Sequence, residues 1–420
     1  MLSAGIFELL DEDEVNAVIA HEIGHAVHWD MLVMTLAQLV PMVLYYIYRS
    51  MVHGSSEGKG NAAIAVGAYF LYIVSEYIVL WLSRNREYHA DRFSGEVTGN
   101  PSLLASALVK IAYGLAGGDH HQAGRQASER NEGFDAIGAL GIFNSSAAKG
   151  LAISGYDDDD STLLNKEGVK HAMRWDMWNP WAKWYELHST HPLVARRLLA
   201  LSNLSEHMKL DPFIEFDDTP PESYWDEFFL DLLILVLPGI PIVFGGALTA
   251  YSMLLGDGSQ YMDIALLLCG CAILLKAHYT YNDSYFPRSA ISGLLKKVKV
   301  SAVRPVPCKI KGTVIGRGIP GYLFSEDFVI QDKTGIMFLD YRQPLAIWEF
   351  FFSIFRRKKF DNQAVEVIGW YRRAPMPYVE VKELISENGD SVKSWVPILY
   401  RLTGVVCIVA GFTIGFVLKQ

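Results

Sequence analysis

The sequence predicts a mainly α-helical, integral-membrane protein: a helical domain with transmembrane hairpins, followed by a small C-terminal OB-like β-barrel. Three observations carry this reading. Of the 420 residues, 51% are hydrophobic and only 20% are charged, a balance too apolar for an ordinary soluble enzyme. Five apolar runs approach the roughly 20 residues that a helix needs to cross a bilayer core. Residues 298–385 instead alternate short β-rich runs with glycine turns.

The runs set the domain order. The first is Met31 to Tyr48 and the second Ala62 to Leu82, with Glu76 inside it. An acid at that depth must face protein or water. Together they make a hairpin at 31–82 within a first domain, 1–228. The third run, Phe229 to about Leu255, and the fourth, about Met262 to Tyr279, form a second transmembrane hairpin at 229–281. Residues 282–394 hold the OB-like domain, and 395–420 a last transmembrane helix with Arg401 near one end. The barrel order rests on "CKIKGTVIGRG", "DFVIQDKTGIMFLDY", "AVEVIGWYRR" and "PYVEVKEL". An insert at 345–359, apolar aromatics followed by basic residues, suits a segment lying in the headgroup layer or a plug against the barrel.

Charge narrows the partners. A net charge of -9, with no basic stripe interleaved by aromatics, argues against nucleic acid. Cys269, Cys271, Cys308 and Cys407 form no Cys-x-x-Cys pair, so neither a disulfide framework nor a cysteine metal site is expected. No signal-peptide pattern is visible at the start. Arg84, Arg86 and Arg92 follow the second run, and the turn "GDGSQY" between the third and fourth has no basic residue. The positive-inside rule then puts the first helix, 83–228 and 281–394 on the cytoplasmic side of a cell inner or plasma membrane.

The chemistry lies in "AVIAHEIGHAVHWD". On a helix, His21 and His25 are one turn apart on one face and can hold one metal. Glu22 is rotated from that face by about 100° and can reach a water without being a ligand. The acidic "DEDE" suits the helix start, and Gly24 leaves room for close packing. A catalytic zinc needs a third protein ligand. In "SRNREYHADRFSG", Glu87 and Asp91 share a helix face, which makes Glu87 that ligand and Asp91 an acceptor for a ligating histidine. His28 and His89 compete for ligation and are set aside, and Asp30 is read as structural.

These segments, His-Glu-x-x-His, a membrane hairpin, then Glu-x-x-x-Asp, resemble the membrane-embedded zinc endopeptidases of the HtpX and CaaX-prenyl-protease type. "NPSLLASALVKIA" resembles the helix after the third ligand. "STHPLVARRLLAL" resembles the closing Ser-x-His-Pro segment, with Arg197 six residues after His191. The resemblance covers about the first 205 residues. It implies one zinc per chain, protein or peptide substrates in membrane or misfolded form, and hydrolysis by metal-activated water with Glu22 as base. His191 is then a candidate oxyanion donor, with Arg197 as a supporting charge; His191 could instead fill the open metal position, or sit in a capped surface turn. The resemblance also implies spans and a substrate-pairing strand upstream of the metal helix, and "MLSAGIFELLDEDE" matches only the end of that region, so the sequence is a fragment, has a start assigned too late, or belongs to a protein without the strand. That opens a rival reading, a non-enzymatic membrane scaffold whose zinc is structural. Trp175, Trp178, Trp181 and Trp184 recur every three residues and suit a membrane interface, a cleft wall or a core stripe. The sequence leaves the oligomeric state open.

Overall fold

In the computed structural model, residues 10–53, 60–117, 166–216, 219–255, 261–317, 328–345, 348, 359–360, 362–374 and 376–417 are described. The acidic run at 157–160 and nearly all of the insert at 345–359 lie outside them. The chain divides into two compact units, Met1–Ala152 with Ala182–Thr219, and Ile153–Trp181 with Pro220–Gln420.

The first unit is helical. α1 (Glu12–Val27) starts in a capping box, in which Asp11 accepts from the Glu14 amide and Glu14 accepts from that of Asp11. Glu14 is also buried against Lys110 and Ser106 of α4 (Pro101–Gly117), so the cap ties two helices together. α1 ends where Trp29 adopts the left-handed region, φ 57°, and the chain turns into α2 (Asp30–His53). α3 (Gly60–Thr98) carries the second apolar run and then continues, unbroken, through Glu87 and Asp91. A methyl on Gly24 would stand 3.2 Å from Ala90 Cα, so the bare glycine sets how closely α1 lies on α3. Ser94 adds a buried hydrogen bond to the Ala17 carbonyl, 2.6 Å. Asn100 caps α4 through the Ser102 amide, with Pro101 in first position.

The first described element of the second unit is α5 (Lys166–Trp178). Its Trp175 is fully buried, donates to the Val300 carbonyl, and lies under the Arg373 guanidinium at 4.8 Å. The division falls within α6 (Pro180–Leu187); α7 (Val194–His207) returns to the first unit. The four tryptophans do not form one stripe. Asn179 and Pro180 interrupt the helix, leaving Trp175 and Trp181 buried and Trp184 exposed.

The third apolar run is two helices, not one. α8 (Trp225–Val236) and α9 (Gly239–Leu254) meet at 53°, where Pro238 withdraws a backbone donor. α10 (Met262–Thr280) packs along α12 (Val396–Val417). Four described helices, α2, α3, α10 and α12, are long and apolar enough to cross a membrane, and the bent pair makes a fifth if it counts as one span.

Between α10 and α12 come α11 (Ile291–Leu295) and six strands: β1 (Val306–Arg317), β2 (Phe328–Asp332), β3 (Gly335–Asp340), β4 (Ala364–Ala374), β5 (Met376–Ser386) and β6 (Ser391–Lys393). β1 pairs with β2 and β4, β2 with β3, and β4 with β5, all antiparallel; β3 meets β5 in parallel. The ring β1-β2-β3-β5-β4 therefore closes as a five-stranded barrel, with β6 added on β5. Closure removes free strand edges. Cys308, Ile310, Ile330 and Val381 lie in its core, and burial pushes the Cys308 thiol up to about 12. All four cysteines are free. Buried charges secure this unit: Asp231 of α8 accepts from Trp181, Tyr279, Ser301 and Arg304, and Arg372 of β4 holds Glu380 and the Thr280 carbonyl.

α10 and α12 meet at glycines. A methyl on Gly270 would lie 2.6 Å from the Gly404 carbonyl oxygen, with nowhere for either backbone to go but apart. Gly270→Leu is expected to destabilise this pair by about 1–3 kcal/mol; denaturant unfolding in detergent micelles checks it, and an unchanged midpoint would refute the close contact.

Candidate metal centre

α1 and α3 together assemble the site. His21 and His25, one turn apart on α1, direct their Nε2 atoms to one point, 3.2 Å from each other. From α3, Glu87 Oε2 lies 3.8 Å from His21 Nε2 and Oε1 lies 3.7 Å from His25 Nε2. Among the described residues these three side chains form the group able to hold a metal ion.

Each histidine has its second nitrogen on a carboxylate. His21 Nδ1 lies 3.0 Å from Asp91 Oδ1. His25 Nδ1 donates to Asp30 Oδ2 at 2.6 Å. The His25–Asp30 hydrogen bond fixes that ring with its proton on Nδ1, leaving the Nε2 lone pair for a metal. Asp30, read from the sequence as structural, thus matches Asp91 in its contact. Its position comes from the left-handed corner at Trp29, which folds the first residue of α2 back under the last turn of α1. Arg86 of α3 holds that corner, donating to the Asp30 carbonyl at 2.9 Å.

Behind the ligands stands Arg197 of α7, 1% exposed. Its Nε and Nη2 donate to the two Asp91 oxygens at 2.8 and 2.5 Å, and Nη1 lies 3.4 Å from Glu87 Oε2. Burial alone would raise the Asp91 carboxyl, but Arg197 and His21 outweigh it and hold it at about 2. Burial likewise opposes ionisation of Glu87, and His191, Arg197 and His21 more than compensate, so its pKa lies below the usual carboxylate value. Both groups lie on α3 beyond the apolar run that ends at Leu82. Both therefore carry charge at neutral pH.

The remaining residues separate cleanly. His191 lies half-buried with Nδ1 3.3 Å from Glu87 Oε1, beside the metal group. Glu22 is half-buried on the next position after His21. His28 turns away, its Nδ1 donating to the Gly24 carbonyl at 2.7 Å, and stacks near His89 and Phe93.

With this geometry in place, the comparisons with known proteins agree. Residues 1–205 match the model of peptidase family M48. Similar proteins include the protease HtpX homologue of Methanothermobacter thermautotrophicus, 45% identical over 115 residues, which is 27% of this chain and 44% of that one. The protease HtpX homologue of Aeropyrum pernix is 32% identical over 217 residues, covering 49% of this chain and 62% of that one. The chain spans about half the length of these curated relatives. No solved structure matches it.

Asp30 and Asp91 should be separable by substitution. Asp30→Ala frees the His25 ring and is expected to weaken metal affinity about 10–100-fold with the fold retained. Asp91→Ala also strands the buried Arg197 charge, and is expected to cost about 3–5 kcal/mol of stability besides. Competitive metal titration with thermal unfolding distinguishes the two; equal unfolding losses for both variants would contradict the arrangement.

Proposed function

We propose that this protein is a membrane-inserted zinc endopeptidase, holding one zinc per chain, its site on the cytoplasmic side, and acting on membrane or misfolded proteins. One observation carries the reading: three donor atoms converge on a point while both imidazoles are oriented by carboxylates behind them. Zinc suits this set. Ligand atoms about 2.0–2.1 Å from a tetrahedral zinc stand about 3.3 Å from one another; the two Nε2 atoms are 3.2 Å apart, and one donor atom from each of the three residues lies within 4.8 Å of the others. Glu87 Oε2 is also buried with no hydrogen bond to any described residue, its one charged neighbour being Arg197 Nη1 at 3.4 Å, so it keeps an acceptor lone pair for a metal.

His21, His25 and Glu87 would hold the metal, which supplies a Lewis acid that lowers the pKa of water towards about 7. Glu22 takes the proton as water attacks the scissile carbonyl and passes it to the leaving amine. His191, beside Glu87, donates to the oxygen of the tetrahedral intermediate. Arg197 supports the ligands rather than the substrate, because its guanidinium is enclosed by Asp91 and Glu87. The barrel is assigned to the OB type on its closed order β1-β2-β3-β5-β4 and parallel β3–β5 contact, with a role in recruiting or gating substrates. Large apolar side chains such as Leu36, Val40, Phe412 and Phe416, exposed on α2 and α12, suit lipid.

Glu22→Gln is expected to abolish cleavage of a membrane protein substrate, a loss of at least about 10²-fold, while zinc stays bound. Cleavage by the variant at the wild-type rate would refute the mechanism. Zinc retention by a wild-type chain that never turns substrate over, with or without chelator, would favour the scaffold reading instead.

A further inference from the structure

Arg84 stands three residues before Glu87 on α3 and is buried. Its Nη1 donates to three backbone carbonyls at once: Glu186 at 2.8 Å, Leu187 at 3.3 Å and Ser189 at 2.8 Å. Those carbonyls belong to the end of α6 and the turn after it. The Glu186 carbonyl also accepts from the Ser189 amide at 3.0 Å, and those of Leu187 and Ser189 lie past the last helical turn, where carbonyls need partners. The same turn carries His191, whose amide donates to Ser189 Oγ at 3.2 Å. On its downstream side, Glu186 accepts from the Leu193 amide and from Arg196.

We infer that Arg84 is a positioning residue: by gathering three carbonyls of the 186–189 turn onto α3, it fixes where His191 stands relative to Glu87. Arg84, Glu87 and Asp91 follow at spacings of three and four, so they share one face of one helix. The donor that holds the turn and the carboxylate that His191 faces are therefore parts of the same rigid element. The separation of 3.3 Å between His191 and Glu87 is set through that element rather than by the turn's own stiffness. A charge placed merely for membrane topology would lie in water or among headgroups, whereas this guanidinium is enclosed and bonded to backbone.

This inference rests on the endopeptidase reading for its catalytic consequence, and on geometry alone for its structural one. The test compares wild type, Arg84→Gln and Arg84→Lys in the full chain in detergent. Three quantities are read: bound zinc, kcat and KM on one peptide substrate, and hydrogen–deuterium exchange of the amides at 187–191. Arg84→Gln is expected to keep its zinc and its KM, to lose about 10–100-fold in kcat as His191 drifts, and to exchange at 187–191 about tenfold faster. Arg84→Lys, a point charge able to reach some of the carbonyls, is expected to recover part of both. Wild-type exchange and kcat in Arg84→Gln would overturn the inference. So would a kcat loss matched by zinc loss, which marks a general collapse of the site. If the wild-type chain shows no peptidase activity, the proposed function fails, and the exchange rates still decide whether Arg84 holds the turn.

Discussion

The arrangement of the first unit depends on one buried ion pair, Asp91 with Arg197. The fork is bidentate and almost wholly sealed from water, and its members lie 106 residues apart in sequence. Desolvating two charges is costly, and the cost is offset only where geometry is good and the remaining acceptors are satisfied. Here they are. Asp91 faces His21 with one oxygen, and the same guanidinium reaches Glu87. The fork thus joins α7 to α3, and through His21 joins both to α1. A displacement of any of the three helices would break this network in the core, which is why His21 and Glu87 stand where they do.

A second constraint is the continuity of α3. A helix that carries an apolar run and then, without a break, Glu87 cannot bend that residue away from the end of the run. Within two turns, Arg84 holds the turn bearing His191, Arg86 holds the corner bearing Asp30, and Glu87 faces both histidines. Three separate pieces of chain are referred to one rigid axis. The hairpin is therefore part of how the site is built, since α2 begins with Asp30 itself.

How much of this was legible in the sequence follows from the range of each interaction. His21, His25, Glu87 and Asp91 could be read as neighbours because helix periodicity is local and each pair sits four residues apart. The barrel could be read because alternation and glycine turns are local too, and its strands emerge near the expected runs. Asp30 could not be read as a partner of His25, since that depends on a non-glycine residue, Trp29, in the left-handed region. Arg84 and Arg86 were legible only as charges flanking an apolar run; their contacts are to backbone carbonyls of distant segments, which leave no local pattern. The tryptophans misled for the opposite reason. Their regular spacing suggests one stripe, but the helix is interrupted at Asn179, so the four do not lie on one continuous helix. Pro238 was visible inside its apolar run, yet hydropathy alone does not report a break.

The charge count around the centre completes the physical picture. Glu87, Asp91 and Asp30 bring three negative charges, and Arg197 and Arg86 bring two positive ones, so the cluster keeps one uncompensated negative charge. Added to it are two imidazole nitrogens 3.2 Å apart, whose other nitrogens face carboxylates. Lone pairs and a carboxylate oxygen at this separation repel one another unless a proton or a cation stands between them. A proton can relieve one pair of atoms, whereas a divalent ion relieves all three donors at once. Binding of such an ion would contribute to the stability of the fold as well as to its chemistry. Arg197 makes this possible, because it holds Glu87 and Asp91 ionised and in place before any ion arrives.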